Sequence, residues 1–216
     1  MSNWSTSTSR TGHMARFCLA LLLAVGMSAG SAALAASPQD SVRSLYETLL
    51  TTMKDGRTLR ESGRYARLAA VVGQLFDIPE MARLAVGPSW ITLSPAQQQQ
   101  LTDAFGHYIS ATYADQFDSY SGQRLQVAGE QAYGAEVIVQ TRIVKAAGDS
   151  VSLNYLMRKN GGLWQIADVY LDGTISQLAT QRSEFYSILR RDGVDGLLIA
   201  LNRKVDLLTW NVAASS

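Results

Sequence analysis

One cysteine, two histidines and four prolines occur in 216 residues, and each scarcity excludes something. The cysteine, Cys18, lies within an apolar run near the N-terminus, so the rest of the chain has neither a disulfide nor a thiolate metal site. With His13 and His107 as the only imidazoles, a histidine-rich metal centre is excluded as well. Charge of one sign is also missing: 19 basic residues face 18 acidic ones, without the basic surplus that a nucleic-acid partner calls for. No G-x-S-x-G elbow occurs, and no glycine-rich loop joins a strand to a helix. The longest apolar run, Phe17 to Val25, is far shorter than the ~20 residues needed to cross a bilayer.

That run has another use. Arg10 and Arg16 precede it, and small residues ending in Ala33-Leu34-Ala35 follow it, the order of a secretory leader with an A-x-A cleavage site. Met14, just ahead of Arg16, is an alternative start. We expect residues 1–35 to be a signal peptide and 36–216 a single domain. Removing 35 of the 216 residues leaves 181, with 17 basic and 18 acidic side chains and no cysteine.

The central pattern runs from Val151 to Gly173. Val151, Leu153, Tyr155 and Met157 alternate with Ser152, Asn154, Leu156 and Arg158, the two-residue period of a half-buried strand. Asn160-Gly161-Gly162 tolerates positive φ and reverses the chain. On the returning strand, Trp164, Ile166, Asp168 and Tyr170 are expected on one face and Gln165, Ala167, Val169 and Leu171 on the other. Apolar bulk on both faces predicts a central strand. Arg124–Gly129 and Glu136–Lys145 supply two earlier strands, the latter with Val137, Val139, Thr141 and Ile143 on one side. The expectation is a four-stranded antiparallel meander.

About six helices surround it. Ser37-Pro38 starts the first, with Val42, Leu45, Tyr46, Leu49 and Met53 on one face and Asp55-Gly56 at its end. Tyr65, Leu68, Ala69, Val72 and Leu75 mark the second. Asp77 caps a short third, which Gly87-Pro88 stops. Ser94-Pro95 opens the longest, to about Tyr120, with an aromatic stripe of Leu101, Phe105, Tyr108, Ile109, Thr112, Tyr113 and Phe117. Thr174 or Ser176 caps a fifth helix closing at Gly193. Asp195 caps the last, with Leu197, Leu198, Leu201, Val205 and Leu208 inward. The fold class is α+β.

Chemistry is sparse. Asp168 is the one candidate general base, on the argument that burial beside Trp164, Ile166 and Tyr170 would raise its pKa. The competing expectation is structural: pairing with Arg142 or Arg158, or accepting backbone hydrogen bonds. Otherwise the chain offers an apolar sheet under helices rich in Phe, Tyr, Ile and Leu, which fits a carrier of an apolar ligand. Periodicity does not distinguish a cavity from a filled core, so an adaptor working through its surface stays open.

At this point the residues resemble a family. Phe76-Asp77, Met81-Ala82, Gly87, Trp90, Ser94-Pro95-Ala96-Gln97 and the aromatic helix are similar to those of the MlaC, or toluene-tolerance auxiliary, proteins. So are Trp164, Asp168, Gly173, Ser176, Gln181-Arg182-Ser183-Glu184-Phe185, Leu189, Gly193, Asp195-Gly196-Leu197 and Leu201. The resemblance spans roughly Val42 to Leu208. It implies a monomeric periplasmic carrier with a sheet of the nuclear-transport-factor or cystatin type, no catalytic residues, no metal and no cofactor. The cargo implied is a phospholipid, or a hopanoid-type lipid as in one branch of the family. It would pass between an outer-membrane lipoprotein complex and an inner-membrane ABC transporter with a substrate-binding ring. On that reading Val137, Val139, Leu153, Tyr155, Met157 and Val169 form the sheet wall of the lipid pocket. Phe76, Phe105, Tyr108, Ile109 and Phe117 form its helix wall.

Overall fold

The computed structural model describes residues 37–210; the expected signal peptide lies outside them. Local chemistry starts each early helix. Helix α1 (Pro38–Lys54) opens with a capping box in which Ser37 and Asp40 bond each other's backbone N–H. Helix α2 (Gly56–Leu75) follows after a single residue. The elbow is tight because Gly56 has no side chain: a Cβ there would lie 2.3 Å from the carbonyl oxygen of Asp118. Asp77 caps α3 (Ile78–Val86), and Gly87, at φ 70°, ends it and leads into a 3-10 turn, Gly87–Thr92. Ser94 and Gln97 form a second capping box for α4 (Pro95–Gln116).

The sheet has five strands, not the expected four. Its order is β1 (Arg124–Tyr133), β2 (Glu136–Val144), β3 (Ser150–Asn160), β4 (Leu163–Leu171) and β5 (Ile175–Ser176), all antiparallel neighbours. β3 and β4 turn on Gly161 and Gly162, at φ 55° and 90°, the left-handed pair that a two-residue hairpin needs. β5 is only two residues long, because Ser176 immediately caps the last helix through the N–H of Ala179. That helix, α5 (Gln177–Trp210), runs through both expected C-terminal helices, with one break at Gly193 (φ 69°). Among the described residues five α-helices therefore stand where about six were expected, the last two joined across that break. β4 is next to the edge rather than central, since only the two-residue β5 lies beyond it.

A bulge changes the faces of β4. Met157 pairs with Ile166 while Leu156 pairs with Asp168, so β4 carries one extra residue there. Ile166 and Val169 consequently share the inner face with Met157 and Tyr155, and Asp168 is turned to the outer face with Leu156. The expectation that Asp168 shares a face with Ile166, and that Val169 opposes it, is corrected by this one insertion. The inner face of the sheet packs under α1, α2, α3 and α4, and this contact is the main core. Helix and sheet are held in register at β4: Asp77 N–H donates to the Ile166 carbonyl (2.9 Å), and Ser41 Oγ donates to the Trp164 carbonyl (2.9 Å).

Candidate functional site

The apolar interior gathers the expected wall residues into one cluster. Val139, Tyr155 and Met157 expose none of their surface, and Phe76 and Phe105 expose 2% and 1%. Val169, Ile109 and Phe117 are buried with them, while Val137, Leu153 and Tyr108 are partly buried against the cluster. Tyr108 sits on the flank facing α5, where the Lys204 ammonium lies 5.3 Å from its ring centre. The two layers are therefore closed on each other, with no water-sized space beside Val139, Tyr155 or Met157.

Aromatic rings dominate the contact. Tyr46 of α1 meets Tyr155 edge to face at 5.9 Å, Phe76 meets Tyr113 likewise at 5.4 Å, and Tyr113 stacks on Phe117 at 5.6 Å. At the far end Phe105 meets Phe185 of α5 at 6.0 Å. A line of rings thus runs along α4 through the middle of the molecule.

Three tyrosines bring polar atoms into this interior. The Tyr46 hydroxyl bonds Thr141 Oγ1, which itself donates to the Leu153 carbonyl. The hydroxyls of Tyr46 and Tyr113 crowd that of Tyr155, but Tyr155 completes no hydrogen bond. Burial pushes all three phenols above the ordinary tyrosine range, so they remain neutral donors. Thr141 was visible in the sequence only as a polar residue in an inward position of β2. Its partnership with Tyr46, 95 positions away, was not.

Asp168 has a structural task. Its Oδ1 accepts from the Val169 N–H (2.7 Å) and the Leu178 N–H (3.1 Å), and its Oδ2 accepts from the Ser176 hydroxyl (2.6 Å). It ties β4 to the start of α5. Neither expected arginine pairs with it; Arg158 bonds Glu136 (2.7 Å) and Glu80 (2.9 Å) instead. Both oxygens are engaged in these bonds, which matches the structural expectation for Asp168, accepting backbone hydrogen bonds, rather than that of a general base. His107 is exposed, and its Nδ1 lies 2.6 Å from the Tyr65 hydroxyl. Among the described residues, no group of three or more His, Cys, Asp or Glu could hold a metal ion.

An open cleft of cationic lining touches the interior. It lies between the α1–α2 elbow and the segment after α4, has a volume of about 1020 Å³, and includes Met53 of the core cluster in its lining. Arg57, Arg60 and Arg64, three and four positions apart on α2, also line it. That spacing is present in the sequence, but nothing in hydropathy or periodicity singles the three arginines out as a group facing one cleft.

Comparison with known proteins places the chain. A family model described as MlaC protein matches residues 43–203. The chain belongs to the MlaC family. The intermembrane phospholipid transport system binding protein MlaC of Haemophilus influenzae is 26% identical over 123 residues, covering 55% of this chain and 57% of that protein. The chain thus aligns with somewhat over half the length of that relative. A phospholipid-binding protein from Ralstonia solanacearum, solved in complex with a phospholipid, has the same fold, with a TM-score of 0.71 and 24% identity. The match covers 80% of this chain and 99% of that one. Among the described residues, no helix is long and apolar enough to cross a membrane.

Proposed function

We propose that this MlaC-family chain is a periplasmic carrier that takes the acyl tails of a phospholipid, or of a hopanoid-type lipid, between its sheet and its helices. The reading rests on one observation: a single apolar interior, bounded by two different layers, in a chain that matches the MlaC family over residues 43–203. The Haemophilus and Ralstonia relatives, described as phospholipid-transport and phospholipid-binding proteins, point the same way. Exchange would run between an outer-membrane lipoprotein complex and an inner-membrane ABC transporter.

The energetics favour a carrier of this design. Two acyl chains carry about 30 methylenes at ~0.8 kcal/mol each, so free passage through water would cost on the order of 20 kcal/mol. A shuttle must cover most of that surface yet hold it no more tightly than a bilayer does. Apolar layers able to close on each other meet both demands, because the protein recovers its own contacts as the lipid leaves.

Uptake on this reading requires the layers to part. Their direct polar ties are concentrated on β4, at Ile166, Trp164 and Gln165, whose amide reaches the Gln74 carbonyl at 3.1 Å. The β1–β2 side is joined to α1 through apolar contact and the Tyr46–Thr141 bond. Parting therefore costs least on that side.

The closed interior also suits an adaptor that works through its surface and carries nothing. Organic extraction of the purified protein followed by mass spectrometry separates the two. The carrier reading expects about one lipid per chain, reduced by Val169→Trp in protein that still melts cooperatively. No extracted lipid, together with no uptake of labelled phospholipid from vesicles, refutes it.

A further inference from the structure

Arg64 is a buried cation without a counter-ion. The residue is 4% exposed, yet its Nε and Nη2 have no hydrogen-bond partner, and Nη1 reaches only the Gly56 carbonyl at a long 3.4 Å. None of the ion pairs among the described residues includes it. A guanidinium does not shed its proton, so burial leaves a full charge to be compensated. The natural remedy is an anion supplied from outside.

The surroundings are built for one. Arg64 lines the 1020 Å³ cleft together with Lys54, Arg57 and Arg60, none of which belongs to an ion pair among the described residues. Lys54 is held over the Tyr120 ring, 5.3 Å from its centre. Against these four cations the cleft carries two carboxylates, Glu61 and Asp118. Arg60 interrupts α2 in the left-handed region (φ 53°, ψ −173°), between Arg57 and Arg64. Met53 lies in the same cleft and is buried in the core cluster, so the cationic opening meets the apolar interior directly.

We infer that this cleft is a phosphate site, with the Arg64 guanidinium as its primary ligand and Lys54, Arg57 and Arg60 as outer cations. The planar fork of arginine matches two oxygens of a phosphate group. The inference deepens the carrier reading and in part rests on it: tails passing Met53 and Phe117 into the core would leave a phosphodiester at Arg64. Free inorganic phosphate is the other source of the same chemistry.

The test uses the full chain and two labelled lipids with identical tails, dioleoyl phosphatidylglycerol and dioleoylglycerol, offered from dodecyl maltoside micelles. Arg64→Met, and separately the exposed pair Arg57→Gln with Arg60→Gln, should lower phosphatidylglycerol uptake at least about tenfold, the loss of a charge-assisted contact. Dioleoylglycerol, which has no phosphate, should change by less than about twofold. A second arm melts the protein in inorganic phosphate against chloride at equal ionic strength. A phosphate-dependent rise in Tm that Arg64→Met abolishes, with both lipids unaffected, assigns the site to free phosphate. Equal uptake of both lipids by every variant, with no Arg64-dependent effect of phosphate, overturns the site and leaves the carrier reading standing. If the wild type takes up neither lipid, the carrier reading fails and the melting arm alone decides the site.

Discussion

Replacing Asp168 separates a structural carboxylate from a catalytic one. The side chain is 7% exposed and accepts three hydrogen bonds, two of them from the backbone N–H groups of Val169 and Leu178. Asp168→Ala leaves those donors without an acceptor where water has little access. At about 1–3 kcal/mol for each unsatisfied buried group, with the Ser176 hydroxyl free to turn to solvent, the loss comes to roughly 3–5 kcal/mol. That is a large share of the ~5–15 kcal/mol that holds a domain folded. With a urea m-value near 2 kcal/mol/M, the unfolding midpoint should fall by roughly 2 M at unchanged m. Asp168→Asn keeps one oxygen for the two N–H donors and loses only the charge and the Ser176 bond, so its cost should be about 1–2 kcal/mol. The readout is a urea titration followed by tryptophan fluorescence, with lipid content measured on the folded fraction of each variant. An alanine variant that loses less than about 1 kcal/mol refutes the capping role. An asparagine variant of unchanged stability that carries no lipid would make Asp168 a functional group instead.

Two further outcomes follow from the polar atoms of the core and the rim. Tyr155→Phe removes a buried hydroxyl that makes no hydrogen bond, so the empty protein should gain about 1 kcal/mol, or ~2–4 °C in Tm by calorimetry; a loss of stability would mean that this hydroxyl is satisfied in solution. Glu80 is held below the usual carboxylate range, first by its hydrogen bonds from Arg83 and also by the Arg83 and Arg158 charges, against some opposing desolvation. A carboxylate with a lowered folded-state pKa adds stability above its unfolded pKa and loses it as the pH falls through the folded one. Glu80→Gln should therefore flatten the decline in Tm on the acid side of the ordinary glutamate range. An unchanged acid limb would show that the Glu80–Arg83–Arg158 contacts contribute nothing to folding.

The sequence by itself determined the local elements, because their causes are local. Ser37-Pro38, Asp77-Pro79 and Ser94-Pro95 start helices through caps only three residues long, and Gly161-Gly162 reverses the chain with its own φ angles. The period-two pattern in β2 and β3 brought Val139, Tyr155 and Met157 to one face, the face that packs into the main core. Periodicity failed at β4, where one residue inserted beside Ala167 exchanged the faces of Asp168 and Val169. A bulge depends on the neighbouring strand and leaves no mark in hydropathy. The interruption expected at Gly193 is there, but the two-residue β5, which exists only by pairing with β4, left no pattern of its own.

Tertiary structure alone decided which polar groups meet. Tyr46 finds Thr141, Arg158 finds Glu80 and Glu136, and Arg64 finds no carboxylate among the described residues, although acidic residues stand three positions before it and nine before it. Hydrophobic burial is a sum over area and can be read from composition and spacing. A hydrogen bond or ion pair depends on distance and angle between segments remote in the chain, and those exist only once the layers have closed.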